Sequence, residues 1–107
     1  MLSEYSGRPA LKLLPRAWYD LLEIGYGYSR QGSRMAAYTI TCEIIRRLKE
    51  LQGFSMLGKA TPLRRLNEQK YLLLEVGKYD CIYRRIENTI YVYHIADLRQ
   101  TYPKLMK

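Results

Sequence analysis

The stretch YLLLEVGKYDCIYRRIENTIYVYHI, running from Tyr71 to Ile95, decides the fold. Tyr71–Val76 alternates weakly between apolar and polar residues, and Gly77-Lys78 then marks a turn into Tyr79–Ile86. Glu87-Asn88-Thr89 marks a second turn, in which Asn88 tolerates a left-handed backbone, and Ile90–Ile95 closes the run. Parallel neighbours need a crossover of about a dozen residues or more, so connections this short make the three strands an antiparallel meander.

Upstream, residues 1–8 lack periodicity and read as a loose tail, while the apolar run Ala10–Leu14 suits a first strand. Pro15 pushes Leu14 toward an extended backbone and fits the first turn of a helix. Trp18, Leu21, Leu22, Gly25 and Tyr28 follow at steps of three and four, which predicts an amphipathic helix with these residues buried. Gly25 and Gly27 each cost that helix roughly 1 kcal/mol relative to Ala, so a close neighbour is expected to hold it. Gly32 ends the segment and Ser33 is placed to cap the next helix. There Ala37, Ile40, Thr41, Ile44, Leu48 and Leu51 form the buried stripe, Arg46 and Arg47 lie on the solvated face, and Gly53 is placed at C′. Residues 54–70 read as a loop with a helical turn near Leu63-Arg64-Arg65-Leu66, and the basic segment 96–107 is either helical or mobile. The order strand, helix, helix, strand, strand, strand predicts one α+β two-layer domain spanning 1–107. An antiparallel helical hairpin covers one sheet face and leaves the other partly open.

Eighteen Lys and Arg against ten Asp and Glu give a net charge of +8, which points to an acidic or polyanionic partner. Eleven tyrosines supply flat surfaces with polar tips, useful against bases and equally at home in half-buried strands. Cys42 and Cys81 are too few for a disulfide framework and sit among apolar residues, where reduced core thiols are expected. The sequence has no apolar run of membrane-spanning length and no signal-peptide pattern at its start, so a cytoplasmic location is expected. One histidine and two distant cysteines furnish no metal site, and there is no phosphate-binding Gly-rich loop or serine-nucleophile motif. Neither a metal nor another cofactor is expected.

Three stretches resemble toxins of the RelE/ParE superfamily, from bacterial type II toxin–antitoxin systems. Leu14-Pro15-Arg16-Ala17-Trp18-Tyr19-Asp20-Leu21-Leu22-Glu23-Ile24 is similar to the family's strand-to-helix transition, and Pro62-Leu63-Arg64-Arg65-Leu66 to its Leu-Arg-x-Leu. The third stretch is the most specific: Gly77-Lys78-Tyr79-Asp80-Cys81-Ile82-Tyr83-Arg84, then Ile90–Ile95, then Arg99-Gln100-Thr101-Tyr102. The resemblance implies the same α+β fold and a small acidic antitoxin that wraps the toxin. For the target it implies either the ribosome, with mRNA cleaved in the A site by a RelE-like endoribonuclease, or DNA gyrase, bound in the ParE manner. A non-toxic member that only binds nucleic acid is the third alternative.

Metal-free RNA cleavage needs a base for the 2′-hydroxyl, a proton for the leaving oxygen, cations around the phosphorane, and stacking groups. The catalytic candidates are Arg84, His94, Arg99 and Tyr102. On regular alternation His94 shares a face with Ile90 and Val92, and it is a core histidine if that face is buried and a functional one if it is open. Arg84 and Arg85 point to opposite faces of their strand. Lys59, Arg64, Arg65, Lys70 and Arg85 are the cations expected to bind nucleic acid. The resemblance places a phosphate-binding Arg and a Tyr at Arg99 and Tyr102, with Gln100 in the first role if the pattern slips by one. Asp80 is a departure, standing where RelE-like nucleases hold an active-site arginine.

Overall fold

The computed structural model describes residues 8–61 and 64–97. The elements are β1 (Ala10–Leu13), α1 (Pro15–Arg30), α2 (Arg34–Glu50), β2 (Lys59–Ala60), α3 (Arg64–Glu68), β3 (Leu72–Val76), β4 (Tyr79–Ile86) and β5 (Thr89–Ala96). The architecture is the expected α+β: an N-terminal strand, a helical hairpin and an antiparallel meander. The sheet has five strands in the order β1-β5-β4-β3-β2. β1 runs parallel to β5, and every other pairing is antiparallel.

Residues 54–61 and 64–70 are more ordered than their sequence suggests. The two-residue β2 pairs with Leu72 and Leu73 and is too short to leave a periodic signal. The helical turn is α3, closed by Tyr71 N–H to Leu66 O and Lys70 N–H to Asn67 O, with Lys70 at φ +69°. That is the Schellman pattern with a non-glycine in the left-handed position. The same pattern ends α1, where Gly32 sits at φ +90° and Ser33 N–H reaches Tyr28 O. Ser33 then caps α2 by accepting from Ala36 N–H at 3.0 Å. Gly53, expected at C′ of α2, is not left-handed; the helix runs out through tight turns in which Leu51 and Gly53 N–H reach Leu48 and Glu50 O. In the β4–β5 turn the positive φ belongs to Glu87, at +55°, and not to Asn88.

The core lies between the hairpin and one face of the sheet. Ala17, Leu21, Ile44 and Leu48 pack against Leu74, Val76, Cys81, Tyr83, Ile90 and Val92. The buried stripe of α1 is therefore rotated from the expected one: Ala17, Asp20 and Leu21 are buried, while Trp18 and Leu22 are 50% and 68% exposed. Gly25 does serve close approach, since a Cβ there would lie 3.4 Å from Thr41 Cγ2, whereas nothing lies within 4 Å at Gly27. Cys81 is buried as expected, but Cys42 is exposed because it faces away from the sheet on α2. Among the described residues no helix is long and apolar enough to cross a membrane.

Candidate functional site

The open face of the sheet carries a row of cationic and aromatic side chains. In β4, Tyr79, Cys81 and Tyr83 turn to the core, so alternation sends Ile82 and Arg84 outward. Register places Arg84 beside Tyr91 of β5, and Tyr91 beside Lys12 of β1. On the other side the Arg84 guanidinium lies 4.5 Å from the Tyr71 ring centre, and it is 5.4 Å from that of Tyr93. It donates to Tyr93 Oη at 3.1 Å and to Gln69 O at 3.3 Å. Its Nε is buried with no hydrogen-bond partner among the described residues. A buried unmet donor is costly, so the two rings and the Tyr93 and Gln69 contacts hold this guanidinium in place against that cost. The hydrogen bond to Tyr93 raises the Arg84 pKa above its ordinary value, outweighing partial desolvation, so the guanidinium stays charged.

His94 joins this face through a β-bulge. Ile82 pairs with His94 while Tyr83 pairs with Val92, so Tyr93 is the extra residue on β5. Ile90, Val92 and Ile95 all enter the core, and the two residues between the last pair, Tyr93 and His94, both leave it. Regular alternation would have kept His94 with Ile90 and Val92. The bulge breaks that phase, so His94 is not a core histidine; its side chain is 31% exposed. β1 accompanies β5 only as far as Val92, with Leu14 N–H on Val92 O at 3.0 Å, and past that point α1 lies along the strand edge. There Asp20, 7% exposed, accepts from Ile95 N–H at 2.9 Å and shares its Oδ2 with His94 Nδ1. Arg16 Nε meets its Oδ1 at 3.1 Å.

The other expected cations scatter. Lys59 pairs with Glu75 at 3.0 Å, and Arg64 with Glu68 at 3.0 Å. These are exposed pairs of the kind worth about 0–1 kcal/mol, which a phosphate can displace. Arg65 and Lys70 are exposed on and after α3, and Lys70 adjoins Gln69, whose carbonyl holds Arg84. Arg85 is not part of the row: it binds Ser55 Oγ, Glu87 O and Asn88 Oδ1 and ties the β4–β5 turn to the loop after α2. Asp80 sits opposite Glu75 in the β3–β4 register, which sets two carboxylates at that end of the open face with Lys59 paired to Glu75. Arg99, Gln100 and Tyr102 lie outside the described residues. Sequence reading missed Lys12, Asp20, Tyr71 and Tyr93. Only Asp20 left a signal, its i,i+4 spacing from Arg16.

On the far side of the molecule a groove of about 1050 Å³ runs between α1 and α2. Leu22, Tyr26, Tyr38 and Ile45 give it apolar walls, Arg34, Arg46 and Lys49 line it as well, and no carboxylate does. Among the described residues no group of three or more His, Cys, Asp or Glu side chains is placed to hold a metal ion.

No known family profile matches the chain, and no curated protein matches it in sequence. Solved structures do match. A chain of the chromosomal ParDE TA system from P. aeruginosa superimposes with a TM-score of 0.72 at 20% identity, over 85% of this chain and 97% of that one. A chain of the toxin–antitoxin complex RelBE2 from Mycobacterium tuberculosis gives 0.62 at 13% identity, over 83% and 96%. The fold expected from the RelE/ParE resemblance is the fold found. At these identities the likeness is one of fold.

Proposed function

We propose that this chain is the toxin of a type II toxin–antitoxin pair and that it cleaves mRNA in the ribosomal A site, on the open face of its sheet. The observation that carries this reading is the β5 bulge, which sets the only histidine beside Tyr93 on the face that holds Arg84. Lys12 and Arg84 supply cations for a phosphate, and Tyr71 and Tyr91 supply stacking surfaces for bases. His94 is the group suited to take the 2′-hydroxyl proton. Arg99 and Tyr102, placed near such a site by the resemblance, complete the proposed catalytic set. Lys70 adjoins it through Gln69, and Lys59, Arg64 and Arg65, spread more widely over the surface, are proposed as outlying backbone contacts for the RNA.

The ParDE and RelBE2 neighbours are toxin–antitoxin systems, and this chain's partner is proposed to be a small acidic antitoxin. The groove between α1 and α2 suits an amphipathic acidic segment of that antitoxin, because its walls are apolar and its charged lining is wholly cationic. A second reading, inhibition of DNA gyrase by protein contact, draws on the same hairpin. Trp18, Leu22, Tyr26 and Tyr38 are 50–69% exposed there, as in a surface made to meet another protein.

Cell-free translation with mapping of mRNA 5′ ends separates these readings. New ends within translated codons, absent without ribosomes, are expected. Intact message with loss of gyrase supercoiling establishes the second reading instead. RNA binding with neither effect identifies a non-toxic nucleic-acid-binding protein.

A further inference from the structure

His94 does not stand alone. Its Nδ1 faces Oδ2 of Asp20, a carboxylate that is 93% buried under α1 at the bare edge of β5. That carboxylate is fixed from the other directions as well: Ile95 N–H donates to the same oxygen, and Arg16 Nε lies 3.1 Å from Oδ1. A carboxylate only accepts, so the proton of a neutral imidazole in this arrangement lies on Nδ1. We infer that Asp20 is a positioning residue, which locks His94 in the Nδ1–H tautomer and leaves Nε2 bare as the base for RNA cleavage.

The inference rests on the cleavage reading and gives its chemistry a definite atom. Nε2 takes the 2′-hydroxyl proton, the 2′-oxygen bonds to phosphorus, and the bond from phosphorus to the 5′-oxygen breaks. Water protonates the departing 5′-oxygen and the hydroxide left takes the proton back from Nε2, so the products are a 2′,3′-cyclic phosphate and a 5′-hydroxyl with His94 neutral again. The imidazolium formed on the way is held beside the Asp20 charge, which stabilises it as it develops. The bulge contributes by setting His94 at the strand edge, where Asp20 reaches it around the end of β1.

Two measurements on the full chain test this. The first is ¹⁵N NMR of the imidazole in its neutral form, in the wild type, Arg16→Ala and Asp20→Ala. The expected result is Nδ1–H in the wild type and in Arg16→Ala. Asp20→Ala is expected to shift toward Nε2–H, the tautomer a free imidazole favours, because no acceptor then faces Nδ1. Nε2–H in the wild type would overturn the inference without any variant having to fold. The second is ribosome-dependent cleavage, in which Asp20→Ala is expected to lose about a hundredfold or more in the cleavage step, with mRNA affinity retained and far-ultraviolet circular dichroism unchanged. Cleavage at the wild-type rate by a folded Asp20→Ala that has changed tautomer overturns the positioning role. Intact message with wild-type protein overturns the cleavage reading and the base role with it, while the tautomer result still decides the Asp20–His94 pairing separately.

Discussion

Arg84 is held by two rings, a hydroxyl and a carbonyl, and that degree of fixation sets what its substitution does. A lysine keeps the charge but cannot lie flat against Tyr71 while also donating to Tyr93 Oη and Gln69 O. Arg84→Lys is therefore expected to lower mRNA cleavage at least tenfold with little change in urea midpoint, whereas Tyr93→Phe, which removes one acceptor, costs only several-fold. Equal activity of Arg84→Lys and wild type would remove Arg84 from the site. Gly58 belongs to the same scale. A Cβ there would fall 2.6 Å from Tyr83 Oη and 2.8 Å from Leu73 O, and the Tyr83 hydroxyl accepts from Gly58 N–H while donating to Ser55 O. Backbone and a buried ring leave no room, so Gly58→Ala is expected to destabilise by about 1–3 kcal/mol in urea denaturation. Little of this was legible from sequence. Arg84 and His94 stood out as residue types, but Tyr71, Tyr93 and Asp20 gain their roles from partners as many as 75 positions away.

Elements were more legible than residues because their signals are local. Gly77-Lys78 and Glu87-Asn88 sit between strands as two-residue turns, and Pro15, Gly32 and Ser33 bound the helices as their chemistry requires. The failures are equally physical. β2 is too short to have a period. The α1 stripe was read around Trp18 and Leu22, which face outward, while the core takes the small Ala17 and the charged Asp20. Most consequential is the β5 bulge, which inserts a residue without any glycine to announce it and reverses the face of His94. Two stability tests belong here. Ser33→Ala removes the only side-chain cap bond of α2 among the described residues and is expected to cost about 1 kcal/mol. Glu87→Gly relieves a left-handed non-glycine backbone at φ +55° and is expected to stabilise by about 1 kcal/mol. Thermal or urea midpoints moving the other way would contradict these cap and turn assignments.

The whole molecule divides its work between two faces: a cationic and aromatic sheet face, and a helical face with an apolar, positively lined groove. Between them lies a core that resists ionisation. Burial pushes the Cys81 thiol up from 9.0 to about 12 and raises Tyr83 as well. The folded chain thus holds protons that the unfolded chain releases, so the stability these groups contribute is complete below pH 9 and is lost as pH climbs toward 12. Urea midpoints are expected to fall between pH 8 and pH 10, and iodoacetamide at pH 8 should label Cys42 while sparing Cys81 until the protein unfolds. The work proposed for the sheet face with Arg84 and His94 is to cut mRNA. It is tested most directly by mapping mRNA 5′ ends in a cell-free translation reaction with wild type, Arg84→Ala and His94→Ala. Ribosome-dependent ends inside codons are expected with the wild type, and their loss in both folded variants. Full-length message with wild-type protein, or cleavage undiminished in both variants, would contradict it.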